Sequence, residues 1–331
     1  MKMNIISKAL LLLAIGINGS AIAANTQHKT EHYKVTKKAE VKNNKKSAKV
    51  TTRKTKEVQS KRLKAVVSPT YKVAKKETTV KNKSVANYSP NNIKYSVFNY
   101  QSGQILEENN SSIVWPIASL TKLMTAYVFV SNTPNIKNCS NQITSEDTDI
   151  IKNTRTRLSK NTTISCETLL EVMLIASDNY AASALARSVP GWSKPEFIRH
   201  MNIQAKNWGL NNTYFVDSSG LSPNNRSSVD DYRKLAINVV KNKTISDISS
   251  NESIIADSKN RQITYRNSNK LVREYGLDVN LSKTGYIRES GYNLVHLADC
   301  PNPIGVIEFG ARSSDQRAYF VKQKLSKYGC I

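Results

Sequence analysis

Apolar positions are spread unevenly along the 331 residues. A short apolar run lies near the start, residues 24–90 show no sustained period, and regular patterning begins near residue 94. Residues 95–100 and 105–108 flank a turn-like break at Gln101-Ser102-Gly103-Gln104, which predicts a hairpin. Pro116 then precedes a helix predicted from at or near Ser119, where Leu120, Leu123, Met124, Tyr127 and Val128 recur at helical spacing. Further helices are predicted over 168–176, 180–189 and 194–208. Another starts at the capping sequence Ser228-Val229-Asp230-Asp231 and reaches about 241. The pattern returns to strands at 281–286, 292–298 and 304–309, and a helix over 315–328 follows. Strands at both ends with helices between them predict an α/β (α+β) domain whose sheet is assembled from both ends. No internal repeat and no glycine-rich phosphate loop occurs.

Three short elements sit at informative places in this pattern. Ser119-Leu120-Thr121-Lys122 opens the first helix, Ser177-Asp178-Asn179 fills the break between two helices, and Lys283-Thr284-Gly285 lies in a strand. Residues three apart on a helix share a face, so Lys122 can reach the Ser119 hydroxyl. A serine hydroxyl is a poor nucleophile until a base takes its proton. A lysine can be that base only when burial or a second cation lowers its pKa, and Lys283 is the expected second cation. The start of a helix also stabilises a developing oxyanion. Taken singly, each element reads as a plain cap, a turn or a strand end. Their order, with 58 residues from Ser119 to Ser177 and 106 from Ser177 to Lys283, points instead to lysine-assisted serine acyl transfer.

Charge refines the domain division. The net charge is +24, but residues 24–90 hold nineteen Lys and Arg against four Glu. This segment has no Gly or Trp, and its like charges repel, so it reads as a disordered tether. The plain reading is a solvated spacer; the sharper one is attachment to an anionic envelope surface. Binding to nucleic acid is the third reading, and export argues against it. Export is read from residues 1–23, where Lys2 and Lys8, the apolar run 9–17 and Ala21-Ile22-Ala23 form a secretory signal peptide. An uncleaved anchor is the alternative. Residues 91–331 then form one domain holding all four cysteines. An exported chain with four cysteines predicts two disulfides with three possible connectivities, and nearest pairing gives Cys139–Cys166 and Cys300–Cys330. Their spacing, without nearby histidines, argues against a zinc site.

With Trp115-Pro116-Ile117-Ala118 before the first element, the chain resembles the serine DD-peptidases and β-lactamases of the penicillin-binding fold over about residues 92–331. The stretches 118–126, 176–179, 213–221 and 283–285, with Gly291-Tyr292-Asn293-Leu294-Val295, look like the low-molecular-mass D-alanyl-D-alanine peptidases. The resemblance implies a DD-peptidase/β-lactamase-like fold with a helical subdomain, and needs no cofactor or metal. It implies that Ser119 attacks a D-alanyl peptide bond, Lys122 takes its proton and Ser177 relays a proton to the leaving amine. Asn179 would hold the substrate amide, and Lys283 and Thr284 the carboxylate beyond the scissile bond. Gly285 would let the strand approach closely. Backbone N–H groups of Ser119 and Tyr286 would form the oxyanion hole. Arg317 stands at a plausible carboxylate-binding place, with Arg312 close by.

No Glu-x-x-Leu-Asn element lies between Asn179 and Lys283, so a β-lactam acyl-enzyme is expected to persist. The chain ends at Ile331, and the second β-rich domain and membrane helix of the carboxypeptidase branch are not expected. The expectation is therefore a periplasmic, Gram-negative murein endopeptidase that acts on peptidoglycan stems and is inhibited by β-lactams. A carboxypeptidase is the runner-up, and a non-catalytic envelope-binding protein the reading from another class.

Overall fold

The computed structural model describes residues 93–148, 156–258 and 261–331; the expected signal peptide and tether lie outside the described residues. Strands β1 (Lys94–Asn99) and β2 (Ile105–Asn109) form the first hairpin. Asn99 Oδ1 fixes its turn by accepting the N–H groups of Gln101 and Ser102 at 3.0 and 2.9 Å. After β3 (Trp115–Pro116) comes a 3-10 turn, Ala118–Leu120, and then α1 (Thr121–Asn132). The helical region continues through β4 (Ser140–Gln142), α2 (Ser145–Thr148), β5 (Thr163–Ser165), α3 (Cys166–Ile175), α4 (Asn179–Ala186) and α5 (Lys194–Asn207). It closes with β6 (Arg226–Ser227), α6 (Val229–Val239) and α7 (Lys243–Ser250). A second hairpin, β7 (Ser253–Ser258) and β8 (Arg261–Arg266), precedes α8 (Lys270–Arg273). The remaining elements are β9 (Val279–Ile287), β10 (Gly291–Ala298), β11 (Ile304–Ala311) and α9 (Ser314–Lys327).

Among the described residues, the main sheet runs β2-β1-β11-β10-β9 with every pair antiparallel. It joins strands from both ends of the domain, as the sequence pattern predicts. All eight residues of β11 are buried, because both faces of this central strand are covered. Ile304 and Val306 pack with Val97 and Leu294 against Ala318, Val321 and Leu325 of α9. Ile307 and Phe309 face the helices, in the cluster that contains Leu120, Leu123 and Phe129. Each such fully buried aliphatic or aromatic side chain contributes about 1.5–3 kcal/mol.

The helix starts follow their caps. Ser165, Asp178, Ser193, Ser228 and Ser313 each accept a backbone N–H of the first turn. α1 differs from its expected one-sided pattern: Thr121, Lys122 and Thr125 are buried along with its apolar residues. It is the central helix, surrounded on most sides, so its polar side chains need internal partners.

Cys139 pairs with Cys166 and Cys300 with Cys330, at Cα separations of 5.3 and 5.2 Å. The first bond ties the approach to β4 to the start of α3. The second ties the β10–β11 connection to the residues after α9.

Candidate active site

The site is built around the turn at the start of α1. Ala118 has φ +48, in the left-handed region that alanine rarely occupies, and this directs the chain into the turn carrying Ser119. Three contacts hold the turn. Ile117 N–H donates to the Asn225 carbonyl at 3.0 Å, and the buried Tyr232 hydroxyl donates to the Leu120 carbonyl at 2.8 Å. On the third side β9 runs against it: a Cβ on Gly285 would lie 2.8 Å from Ile117 O and 3.2 Å from Ser119 N. β9 therefore passes close against the turn at Gly285. This places the β9 backbone, with Tyr286 next along it, beside the Ser119 N–H. The Tyr286 ring points to the surface and packs on Tyr292 at 4.3 Å.

Ser119 is half-buried and Lys122 fully buried one turn later. Lys122 Nζ lies 2.9 Å from Ser119 Oγ, 2.7 Å from Asn179 Oδ1 and 2.5 Å from the Ser219 carbonyl. Two of these partners can only accept. A neutral amine that donates its two N–H bonds to Asn179 and Ser219 turns its lone pair towards the Ser119 hydroxyl. Burial lowers the Lys122 pKa to about 7, against the opposing pull of the Asp217 and Asp178 carboxylates. The base form is thus accessible at neutral pH.

Asn179 reaches the same cluster through the α3–α4 break, which also carries Ser177. Ser177 has φ +62, and Asp178 caps α4 by accepting the N–H groups of Tyr180 and Ala181. Asp178 also accepts from Thr156 Oγ1 at 2.6 Å, so this middle residue is structural. The left-handed serine and the cap turn the chain sharply, and Asn179 faces Lys122 as a result.

Lys283 and Thr284 are buried on β9. The Lys283 pKa lies well below its ordinary range, through burial first and then the charges of Lys122 and Arg317. Burial is the cause that lowers Lys122, and the Lys122 charge is among those that lower Lys283, so the two buried amines are coupled and a proton on one disfavours a proton on the other.

Thr284 Oγ1 donates to Ser268 Oγ at 2.6 Å. Arg317 is buried on the first turns of α9, where Nη1 donates to the Asn293 carbonyl at 3.1 Å and Glu308 opposes its desolvation. Its pKa still falls to about 10 through burial. Arg312 is exposed, so of the two arginines only Arg317 stands beside Lys283.

The family model described as D-alanyl-D-alanine carboxypeptidase, a peptidase family, matches residues 78–307. The chain belongs to this peptidase family. A D-alanyl-D-alanine endopeptidase of Haemophilus influenzae is 46% identical over 239 residues, which are 71% of this chain and 81% of the relative. An endopeptidase of the same name from Escherichia coli is 34% identical over 202 residues, and the match spans 60% of this chain and 64% of that one. Among solved structures, the Streptomyces K15 DD-transpeptidase superposes with a TM-score of 0.66 at 25% identity, over 71% of this chain and 95% of its own. The likeness supports the DD-peptidase/β-lactamase fold.

In this serine peptidase several groups at the site had no assigned place in the sequence reading. The Ser219 carbonyl is one, and it is held by Asp217. That carboxylate accepts the N–H groups of Ser219, Gly220 and Ser222 at 2.8, 2.6 and 2.9 Å, and Asn225 Nδ2 at 2.8 Å. The sequence Asp217-Ser218-Ser219-Gly220 is an Asx-turn signature, so the loop was legible but its target was not. Asp217→Asn is expected to lower Ser119 acylation by about tenfold to a hundredfold through loss of charge-assisted bonds. It also removes a carboxylate that raises the Lys122 pKa. The rising limb of the pH–rate profile should therefore move to lower pH, and an unmoved limb would contradict the electrostatic link.

Proposed function

We propose that this peptidase is a murein D-alanyl-D-alanine endopeptidase that cuts peptidoglycan cross-links through a Ser119 acyl-enzyme. The observation that carries the reading is Lys122 Nζ, 2.9 Å from Ser119 Oγ, with Asn179 and Ser219 taking its other bonds. Neutral Lys122 accepts the Ser119 proton as Oγ attacks the carbonyl carbon of the D-alanyl bond. The oxyanion forms between the backbone N–H groups of Ser119 and Tyr286. The C–N bond then breaks, and Ser177 relays the proton to the departing amine. Water, deprotonated by Lys122, cleaves the resulting ester and restores Ser119. Atoms and charge balance without a cofactor.

Asn179 orients the substrate amide, and Lys283, Thr284 and Arg317 take the carboxylate on the leaving side. That carboxylate favours the charged form of Lys283, which burial and its neighbours disfavour. The endopeptidase assignment is favoured over a carboxypeptidase by the names of both relatives, and the family description keeps trimming of terminal D-Ala as the second reading. Purified cross-linked muropeptide dimers and free pentapeptides, supplied separately, test the choice: dimers should be cut, and trimming of pentapeptide alone would overturn it. Fluorescent penicillin should label the wild type and leave Ser119→Ala unlabelled. A β-lactam carbonyl meets the same nucleophile, and its acyl-enzyme should outlast the peptide ester.

The chain is exported to the periplasm by residues 1–23, and residues 24–90 act as a basic tether. Deleting 24–88 should leave penicillin labelling intact and reduce retention on vesicles containing anionic lipid at low salt. Equal retention would reduce the tether to a spacer.

A further inference from the structure

A cleft of about 790 Å³ lies against the site, bounded by Ala176 and Asp178 of the α3–α4 break, Ser268, and Arg157, Tyr265 and Arg266. Its position is fixed by Ser268, which lines it and also accepts the Thr284 hydroxyl at 2.6 Å. Thr284 and Lys283 hold the carboxylate on the leaving side in the proposed reaction. The cleft therefore begins where a terminal D-alanine leaving group would end. A cross-linked leaving group does not end there, because it continues into a second stem peptide with further free carboxylates.

The lining suits such a chain. Arg157 and Arg266 are both exposed, and among the described residues neither pairs with a carboxylate. Arg157 donates through Nη1 to the Thr264 carbonyl at 2.6 Å and stands 5.6 Å from the Tyr265 ring centre, which holds its guanidinium beside the cleft. The Asp178 carboxylate at the floor is almost fully buried and engaged by Tyr180 N–H, Ala181 N–H and Thr156 Oγ1. The buried Tyr265 hydroxyl has no partner among the described residues. Two guanidiniums without a carboxylate partner among the described residues, beside a roomy cleft, suit a peptide bearing carboxylates. We infer that this cleft is the subsite for the amine-side stem of the cross-link, with Arg157 and Arg266 binding its free carboxylates. The inference rests on the endopeptidase reading and gives that reading a structural basis for preferring a cross-link to a terminal D-alanine.

The test measures kcat/KM on purified muropeptide dimers beside the rate of acylation by fluorescent penicillin, which has no second stem. Arg266→Gln should lower dimer cleavage roughly tenfold, and Arg157→Gln with Arg266→Gln about a hundredfold, at a penicillin acylation rate close to wild type. Arg157→Lys should retain most dimer cleavage because it keeps the charge. A dimer amidated only on the further free carboxylates of its amine-side stem, with the carboxylate beside the scissile bond left intact, should react with wild type as slowly as the unmodified dimer does with the double variant. The inference is overturned if dimer cleavage is unchanged in the double variant, or if it falls only in step with penicillin acylation. A wild type that trims pentapeptide but leaves dimers intact overturns the endopeptidase reading itself. That result is distinct from one in which wild type and double variant cut dimers equally well.

Discussion

Lys122→Met should lower the rate of Ser119 acylation by penicillin by about a thousandfold to ten-thousandfold, the upper part of the range for a positioned general base. Methionine fills nearly the same volume but offers no lone pair for the proton. Asn179 Oδ1 and the Ser219 carbonyl, at 2.7 and 2.5 Å, also lose their donor. In the wild type the acylation rate should rise with pH through an apparent pKa near 7, the value to which burial lowers Lys122. The same shift acts on folding. Unfolded Lys122 keeps its proton up to about pH 10.4, while the folded form releases it near 7. Between these values the unfolded state binds more protons, so stability rises with pH; below 7 the cost of burying the ammonium is present in full. Denaturant unfolding of both proteins reports this contribution, because titrations not coupled to Lys122 cancel in the difference. Relative to Lys122→Met, the wild type should gain about 1.4 kcal/mol per pH unit above neutrality. A flat difference between pH 7 and 9, or comparable acylation by the variant, would remove Lys122 from the role of base.

Much of this site was legible because its signals are local. The three-residue interval from Ser119 to Lys122 spans one helical turn, Ser228 and Asp178 cap helices by contacts a few residues away, and β10 and β11 are short, largely apolar runs between Gly and Pro breaks. What escaped depends on long-range placement. α7 and the β7–β8 hairpin are polar segments whose buried residues, Ile245, Ser249, Ala256 and Tyr265, become apparent only when neighbours cover them. The Ser219 carbonyl belongs to the backbone, so no residue type announces that it receives Lys122. Sequence supplies the two lysines; only the packed interior shows that both are buried and coupled.

The same dependence on packing makes one glycine decisive. Gly220 lies in the loop organised by Asp217, with φ +84, and an added Cβ would stand 1.9 Å from the Ala118 carbonyl oxygen and 2.3 Å from its carbon. Both opposing atoms are backbone, and Ala118 is itself held at φ +48, so neither side can swing away as a flexible side chain would. Gly220→Ala must therefore push the loop from the turn, separating the Ser219 carbonyl from Lys122 while misplacing Ser119. Left-handed strain of about 1–2 kcal/mol and overpacking of about 1–3 kcal/mol act together, so unfolding free energy should fall by about 2–5 kcal/mol. Acylation should fall at least a hundredfold with it, as misplacement by an ångström costs about that much in rate. Gly103→Ala separates the two causes. Gly103 has φ +78 in the β1–β2 turn but nothing within 4 Å of an added Cβ, so it should show only the strain and acylate normally. Gly285→Ala, whose Cβ would meet Ile117 O at 2.8 Å and whose φ is not left-handed, should impair acylation through crowding alone. If Gly220→Ala acylates as fast as Gly103→Ala, the loop does not position the Ser119 turn and the Ser219 carbonyl is not needed to hold Lys122.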